Sequence, residues 1–306
     1  MIDFKLTAIK SRLNQRALII QAIRDFFIQN DYLEVETPCR IPAPAPESHI
    51  NAQRSGDWYL QTSPELCMKR LLSAGYLKIF QICKCFRQNE SGQRHLPELT
   101  MLEWYTANRD YSHMMNQCEE LILFVASPAG RAKDFVYQGK PVDLTPPWDR
   151  ITVADAFDRF ACISLEKALA SDCFDEVIAL EIEPHLGVRK PLFLYDYPAC
   201  CAALARRKPG NPDIAERFEL YICGIELCNA FSELNDPLEQ RMRFEAEQKQ
   251  RRNSGKKNSP MPEKFLTSLS HMPPATGNAL GIDRLIMLLT DAPDIDDVVA
   301  FTPESL

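Results

Sequence analysis

The stretch Phe86-Arg87-Gln88-Asn89-Glu90, followed by Arg94-His95-Leu96-Pro97-Glu98-Leu99-Thr100-Met101-Leu102-Glu103-Trp104-Tyr105, gathers arginines, a histidine and carboxylates around a turn between two apolar strands. Fixed cations at such a turn offset phosphate charge, so the layout suits an ATP site. Near the C-terminus, Gly281-Ile282-Asp283-Arg284-Leu285-Ile286-Met287 sets another arginine at the head of an apolar run. Each arginine has a plainer reading as a surface cation paired to a nearby glutamate.

The elements that must position these groups follow from apolar spacing and turn chemistry. Ile9, Leu13, Ala17, Ile20, Ile23 and Phe27 recur at steps of three and four, which predicts an amphipathic helix over residues 7–30. A strand over Leu33-Glu34-Val35-Glu36 follows, and the run Ile41-Pro42-Ala43-Pro44-Ala45-Pro46 is expected to be an exposed extended connector. Ser63-Pro64-Glu65 combines a capping residue, a first-turn proline and an early acid, predicting a helix to about Ala74 that stops at Gly75. Further expectations are a helix over 113–126, a hairpin over 135–140, a small peripheral insertion near 161–190, and two strands over 215–234 around Cys223-Gly224. A charged helix over 236–252 and a short acidic cap over 291–306 complete the reading.

Composition narrows the class. With 306 residues, 45% hydrophobic and 25% charged, the chain suits one large or two small globular domains. No apolar run approaches the ~20 residues that span a bilayer, and Met1-Ile2-Asp3-Phe4-Lys5 is too short and polar for a secretory signal, so the expected location is cytoplasmic. The 11 cysteines contain no C-x-x-C pair, which favours reduced, mostly buried thiols. A net charge of -7 argues against broad, sequence-independent nucleic-acid binding.

The segment around Arg87 resembles motif 2 of the class II aminoacyl-tRNA synthetases, and within them the lysine enzymes; Gly281–Met287 resembles motif 3. The first helix, the strand and Thr37-Pro38 resemble motif 1, which implies a homodimer. The implied fold is α+β, a mostly antiparallel sheet flanked by helices, with residues 1–306 forming one catalytic domain. No anticodon-binding domain is expected in front of it, and hence no tRNA anticodon recognition. That architecture resembles the freestanding elongation factor P lysine ligases, which activate (R)-β-lysine with ATP and attach it to a lysine of elongation factor P. Alternatives left open are a lysyl-adenylate-forming paralogue acting on tRNA or making dinucleotide polyphosphates, and a non-catalytic regulatory paralogue.

The resemblance implies roles residue by residue. Arg87 bridges the substrate carboxylate and the α-phosphate, Arg284 lies over the adenine near the γ-phosphate, and Arg94 and His95 meet the outer phosphates. Asn89, Glu90, Leu99 and Gly281 complete the ATP set, although Asn89 stands where the family usually has an acid and Leu99 where it has a phenylalanine. Glu219 and Glu226 match the pair that holds Mg²⁺, which prefers hard oxygen ligands shared with phosphate. Ser63, Glu65, Glu103, Tyr105, Asn229, Phe231 and Glu233 match lysine-binding positions, because a substrate with two ammonium groups in a partly dry cleft needs carboxylates. Cys228 and Ala230, larger than the usual residues, are expected to reshape the pocket wall around the α-carbon end. The run Lys249, Arg251, Arg252, Lys256, Lys257 reads either as a solvated face or as a docking patch for acidic elongation factor P.

Overall fold

A nine-stranded sheet carries the site, and its two-residue alternation sorts side chains into a core face and a cleft face. The computed structural model describes residues 4–127, 134–202 and 204–306. The strands are β1 (Leu33–Glu34), β2 (Lys78–Phe86), β3 (Glu98–Ala107), β4 (Asp149–Thr152), β5 (Leu192–Pro198), β6 (Asn211–Ile222), β7 (Ile225–Ser232) and β8 (Ala275–Gly281). Their spatial order is β1-β2-β3-β8-β7-β6-β5-β4, with Arg207–Lys208 pairing beside β6. Only the outer pairs, β1 with β2 and β4 with β5, are parallel, so the α+β expectation holds.

Along β3, Leu102 and Trp104 enter the main core while Met101, Glu103 and Tyr105 line the cleft. Helices α1 (Lys10–Gln29), α3 (Tyr111–Ala126) and α5 (Ile282–Leu289) cover the core face, whereas α2 (Glu65–Ser73) and α4 (Pro237–Asn253) help to form a second core around Tyr105. Phe27 of α1 stacks on Phe80 with centroids 4.7 Å apart and meets Trp104 at 5.4 Å, joining the first helix to the sheet centre. Arg16 reinforces that joint. It donates to Asp283 at 2.7 Å and to the Thr100 hydroxyl at 2.8 Å, while the other Asp283 oxygen accepts the Thr100 N–H at 2.7 Å.

Several expectations need correction. The first helix is interrupted at Ile9, and its buried residues are Ile19, Ala22, Ile23, Phe26 and Phe27, while Ala17 is exposed. The packing of Phe26 on Phe124 of α3 turns the stripe away from the position that spacing alone picked. The proline run is irregular as expected, but Pro44 and Pro46 are buried and Ala45 packs on the α2 core. The 291–306 tail is more than an acidic cap, since Ala292, Ile295 and Val298 are core residues. The 161–190 segment forms short helical turns that share a core with residues 151–157, β5 and Tyr221, and its end reaches the hairpin turn between β6 and β7. There the Cys223 and Gly224 N–H groups donate to the Gly187 and Leu186 carbonyls at 2.7 and 2.9 Å. Gly187 has φ +64° and a Cβ there would meet the Tyr221 carbonyl oxygen at 2.2 Å, so this close approach requires glycine.

Candidate active site

The cleft has a volume of about 400 Å³ and lies on the open face of β3, β8, β7 and β6 beneath the 87–97 loop. Its period-two sidedness explains the lining: Arg217 and Glu219 from β6, Asn229 and Phe231 from β7, and Gly277, Ala279 and Gly281 from β8. Ser63 and Glu65 enter at the start of α2, whose first N–H is capped by the Ser63 hydroxyl at 3.0 Å, and Gly75 with φ +97° ends the turn after it.

One end of the cleft is acidic. Glu103, 1% exposed, accepts from the Ser63 hydroxyl at 2.6 Å and the Tyr105 hydroxyl at 2.7 Å, one donor to each oxygen. Burial, followed by the nearby Glu65 carboxylate, pushes Glu103 up to about 8 in spite of those two bonds. Glu233 is also 1% exposed, and its Oε1 has no hydrogen-bond partner. Lys69, one turn after Glu65 on α2, places Nζ 2.5 Å from both Glu65 and Glu233 and 4.9 Å from the Phe231 ring centroid. Burial would lower Lys69, but Glu233 and Glu65 outweigh it and hold the ammonium above its ordinary range. A Cβ at Gly277 would meet the Tyr105 ring at 2.3 Å and Glu233 Oε1 at 2.4 Å, so a bare backbone gives these two groups their room.

The other end is cationic. Arg87 ion-pairs with Glu90 at 3.6 Å, and its Nε has no partner. Arg284 bridges the loop and the sheet: it donates to the Glu226 carbonyl at 2.8 Å and the Arg94 carbonyl at 3.2 Å, and lies 2.6 Å from His95 Nε2. Burial and then the Arg284 charge lower His95 below its ordinary value, leaving it a neutral partner near pH 7. Arg94 reaches the Gly224 carbonyl at 3.1 Å, and Leu99 and Gly281 line the cleft between these groups.

Between the two ends, Glu219 is held by Arg217 at 2.6 Å and by the Tyr197 and Tyr221 hydroxyls at 2.6 and 2.7 Å, while Glu226 lies 3.3 Å from Arg284. Glu183, from the helical insertion, accepts from Tyr221 at 3.2 Å and is pushed up to about 7 by burial and then by Glu226 and Glu219. The insertion thus touches the back of Tyr221 and Glu219 without itself lining the cleft. Among the described residues no group of three or more His, Cys, Asp or Glu could hold a metal alone. The donor chemistry still fits Mg²⁺, which commonly takes one or two carboxylates and completes its shell with phosphate and water.

Two expected residues lie elsewhere. Asn89 is exposed at the turn with φ +65° and does not line the cleft. Cys228 faces the opposite side of the sheet, 3.5 Å from the Asn278 amide and within the main core, and Ala230 lies there too. Strand alternation puts Asn229 and Phe231 in the cleft, so neither Cys228 nor Ala230 can shape the wall around a substrate. Sequence reading missed Lys69, Arg217, Glu183 and Glu47. Two of them had a signal: Lys69 follows Glu65 by four on a helix, and Arg217 shares a strand face with Glu219. Glu183 and Glu47 carried none.

The fold and the two arginine-bearing segments define the catalytic domain of a class II synthetase. The sequence matches the family described as tRNA synthetases class II (D, K and N) over residues 1–305, and the chain belongs to that family. It is similar to the lysine--tRNA ligase of Moorella thermoacetica, at 40% identity over 94% of this chain and 64% of the relative. The Clostridium perfringens enzyme of the same name is 37% identical over 96% of this chain and 64% of the relative. The corresponding figures for the Thermoanaerobacter sp. lysine--tRNA ligase are 38%, 96% and 64%. The chain thus spans about 64% of the length of these curated relatives. No helix among the described residues is long and apolar enough to cross a membrane.

Proposed function

We propose that this chain is an ATP-dependent ligase that activates (R)-β-lysine as an aminoacyl-adenylate and transfers it to the ε-amino group of a lysine on elongation factor P. The observation that carries the diamino-acid part is the charge of the cleft's acidic end. Glu65, Glu103 and Glu233 against Lys69 leave two negative charges when all three acids are ionised, and Glu233 Oε1 has no hydrogen-bond partner. Two ammonium groups match that deficit, and the substrate carboxylate then extends toward Arg87. In this reading Arg87 orients the carboxylate against the α-phosphate and Arg284 holds the nucleotide. Phe231, Tyr105 and Asn229 enclose the aliphatic stem and shed its water. Mg²⁺, when bound at Glu219 and Glu226, would offset phosphate charge. The carboxylate is already ionised near pH 7, so the first half-reaction asks no proton of the protein.

The chain is further proposed to act in a cytoplasmic homodimer. The exposed Leu18, Ile28 and Leu33 of the first helix and strand support the dimer. Docking of elongation factor P on the basic run is narrowed to Lys249, Arg252 and Lys257, which are exposed; Arg251 and Lys256 are engaged with backbone carbonyls of residues 47–50. A second reading, transfer to tRNA, is favoured by the similarity to lysine--tRNA ligases. Mass spectrometry of elongation factor P after incubation with the protein, ATP and each lysine isomer separates them. The expected result is a stoichiometric adduct formed fastest with (R)-β-lysine; labelling of tRNA without any protein adduct would support the second reading.

Binding should also be proton-linked. Glu103 stands at about 8 in the protein alone, and an ammonium beside it favours the charged form and lowers that value. At pH 7 the substrate therefore expels a proton. Affinity is expected to rise with pH up to about 8 and then flatten until the ligand amines deprotonate at roughly 9 to 10. Calorimetry in two buffers of different ionisation heat measures the release directly; a heat independent of buffer would remove Glu103 from the ammonium site.

A further inference from the structure

Of the carboxylates that line the cleft, all but one have a hydrogen-bonded or ion-paired partner. Glu65 has Lys69, Glu90 has Arg87, Glu103 has Ser63 and Tyr105, Glu219 has Arg217, Glu226 has Arg284, Glu233 has Lys69 and Asp283 has Arg16. Among the described residues the exception is Glu47, a half-buried lining residue whose carboxylate makes no hydrogen bond or ion pair. Its backbone, by contrast, is firmly held. Arg251 of α4 donates to the Glu47 and Ile50 carbonyls at 2.6 and 2.9 Å, Lys256 donates to the Ser48 carbonyl at 2.8 Å, and the Ser48 N–H donates to Glu247 at 2.7 Å. The Gln88 N–H, next to Arg87, donates to the Asn51 carbonyl at 2.8 Å, which fastens the same segment to the cationic loop.

A carboxylate fixed by its backbone and left free at its tip is built to act on something that arrives. We propose that Glu47 receives the proton of the acceptor ammonium in the transfer step. This rests on the reading that the acceptor is an amine. The charged groups acting on Glu47 are Glu65 of α2, Arg87 of the loop, Glu247 of α4 and Arg217 of β6. Glu47, Glu65 and Arg87 line the same cleft; with Arg87 on the substrate carboxylate and Glu65 on the ammonium nearest it, Glu47 is on the acyl carbon's side of the cleft. Burial and then the Glu65 charge push its carboxyl up to about 7, which suits a proton acceptor at neutral pH. In the step, an alkylammonium gives one proton to Glu47 and its nitrogen pair attacks the acyl carbon. The C–N bond forms, the bond from the acyl carbon to the phosphate oxygen breaks, and AMP leaves with that electron pair. The second nitrogen proton passes to water.

Two acceptors separate this role from a structural one. Hydroxylamine, with a conjugate-acid pKa of about 6, is already neutral at pH 7.5, whereas the side-chain amine of Nα-acetyl-lysine amide, near 10, is not. With preformed adenylate, Glu47→Gln is expected to lower the ratio of lysine-amide to hydroxamate formation by ~10² to 10⁴-fold. The loss should shrink as pH rises toward the amine's own pKa, because the free amine then needs no acceptor. An unchanged ratio, or equal loss with both acceptors, would overturn the assignment. Failure of the wild-type protein to exchange pyrophosphate with any lysine isomer would instead overturn the functional reading beneath it.

Discussion

Arg87→Ala is expected to slow ATP–pyrophosphate exchange by ~10² to 10³-fold with the fold intact, the usual effect of removing one fixed donor from developing transition-state charge. The geometry gives Arg87 little structural work. Its single ion pair, with Glu90 at 3.6 Å, is partly exposed, a class that contributes about 0 to 1 kcal/mol. Its Nε is buried without a partner, a cost that a ligand oxygen would relieve. The thermal midpoint should therefore stay near wild type while exchange collapses. An exchange rate within a few-fold of wild type would return Arg87 to the ordinary role of a surface cation.

Lys69→Met should act in the opposite way, as a large loss of stability. Methionine keeps the length of the side chain but removes the cation that, among the described residues, pairs with both Glu65 and Glu233. Breaking a buried pair from one side typically costs about 3 to 5 kcal/mol. The deficit should depend on pH with a definite sign. Burial already pushes the Glu233 carboxyl up to about 8 against the opposing pull of Lys69; without that ammonium it rises further, so lower pH neutralises it and narrows the gap to wild type. Urea midpoints measured near pH 6 and near pH 8.5 test this: the deficit should be clearly larger at the higher pH. A deficit independent of pH would mean that lost packing against Phe231, not charge, accounts for the change.

The family and the segments that carry the cleft's arginines were legible in the chain because they reside in local patterns. Arg87 and Arg284 announce themselves through the strand-turn-strand and turn-helix segments that hold them, and Ser63-Pro64-Glu65 writes its own helix start. Period-two alternation likewise separates cleft from core along β3, where Glu103 and Tyr105 face one way and Leu102 and Trp104 the other. Cys228 shows how such a signal is misread when a neighbouring residue is matched without asking which face its own position takes.

Other features depend on contacts between segments far apart in sequence. The partner of Glu233 is Lys69, and Glu183 meets the charge of Glu219 and Glu226 only after the helical insertion folds against the hairpin turn. Two cations of the basic run point inward because carbonyls of residues 47–50, some two hundred residues earlier, lie within their reach. Residue types and short-range spacing thus determined the family, the sheet and most of the lining groups of this protein. Tertiary structure decided which of those groups are already neutralised and which are left to act, because desolvation and charge pairing depend on what the rest of the chain brings within a few ångströms.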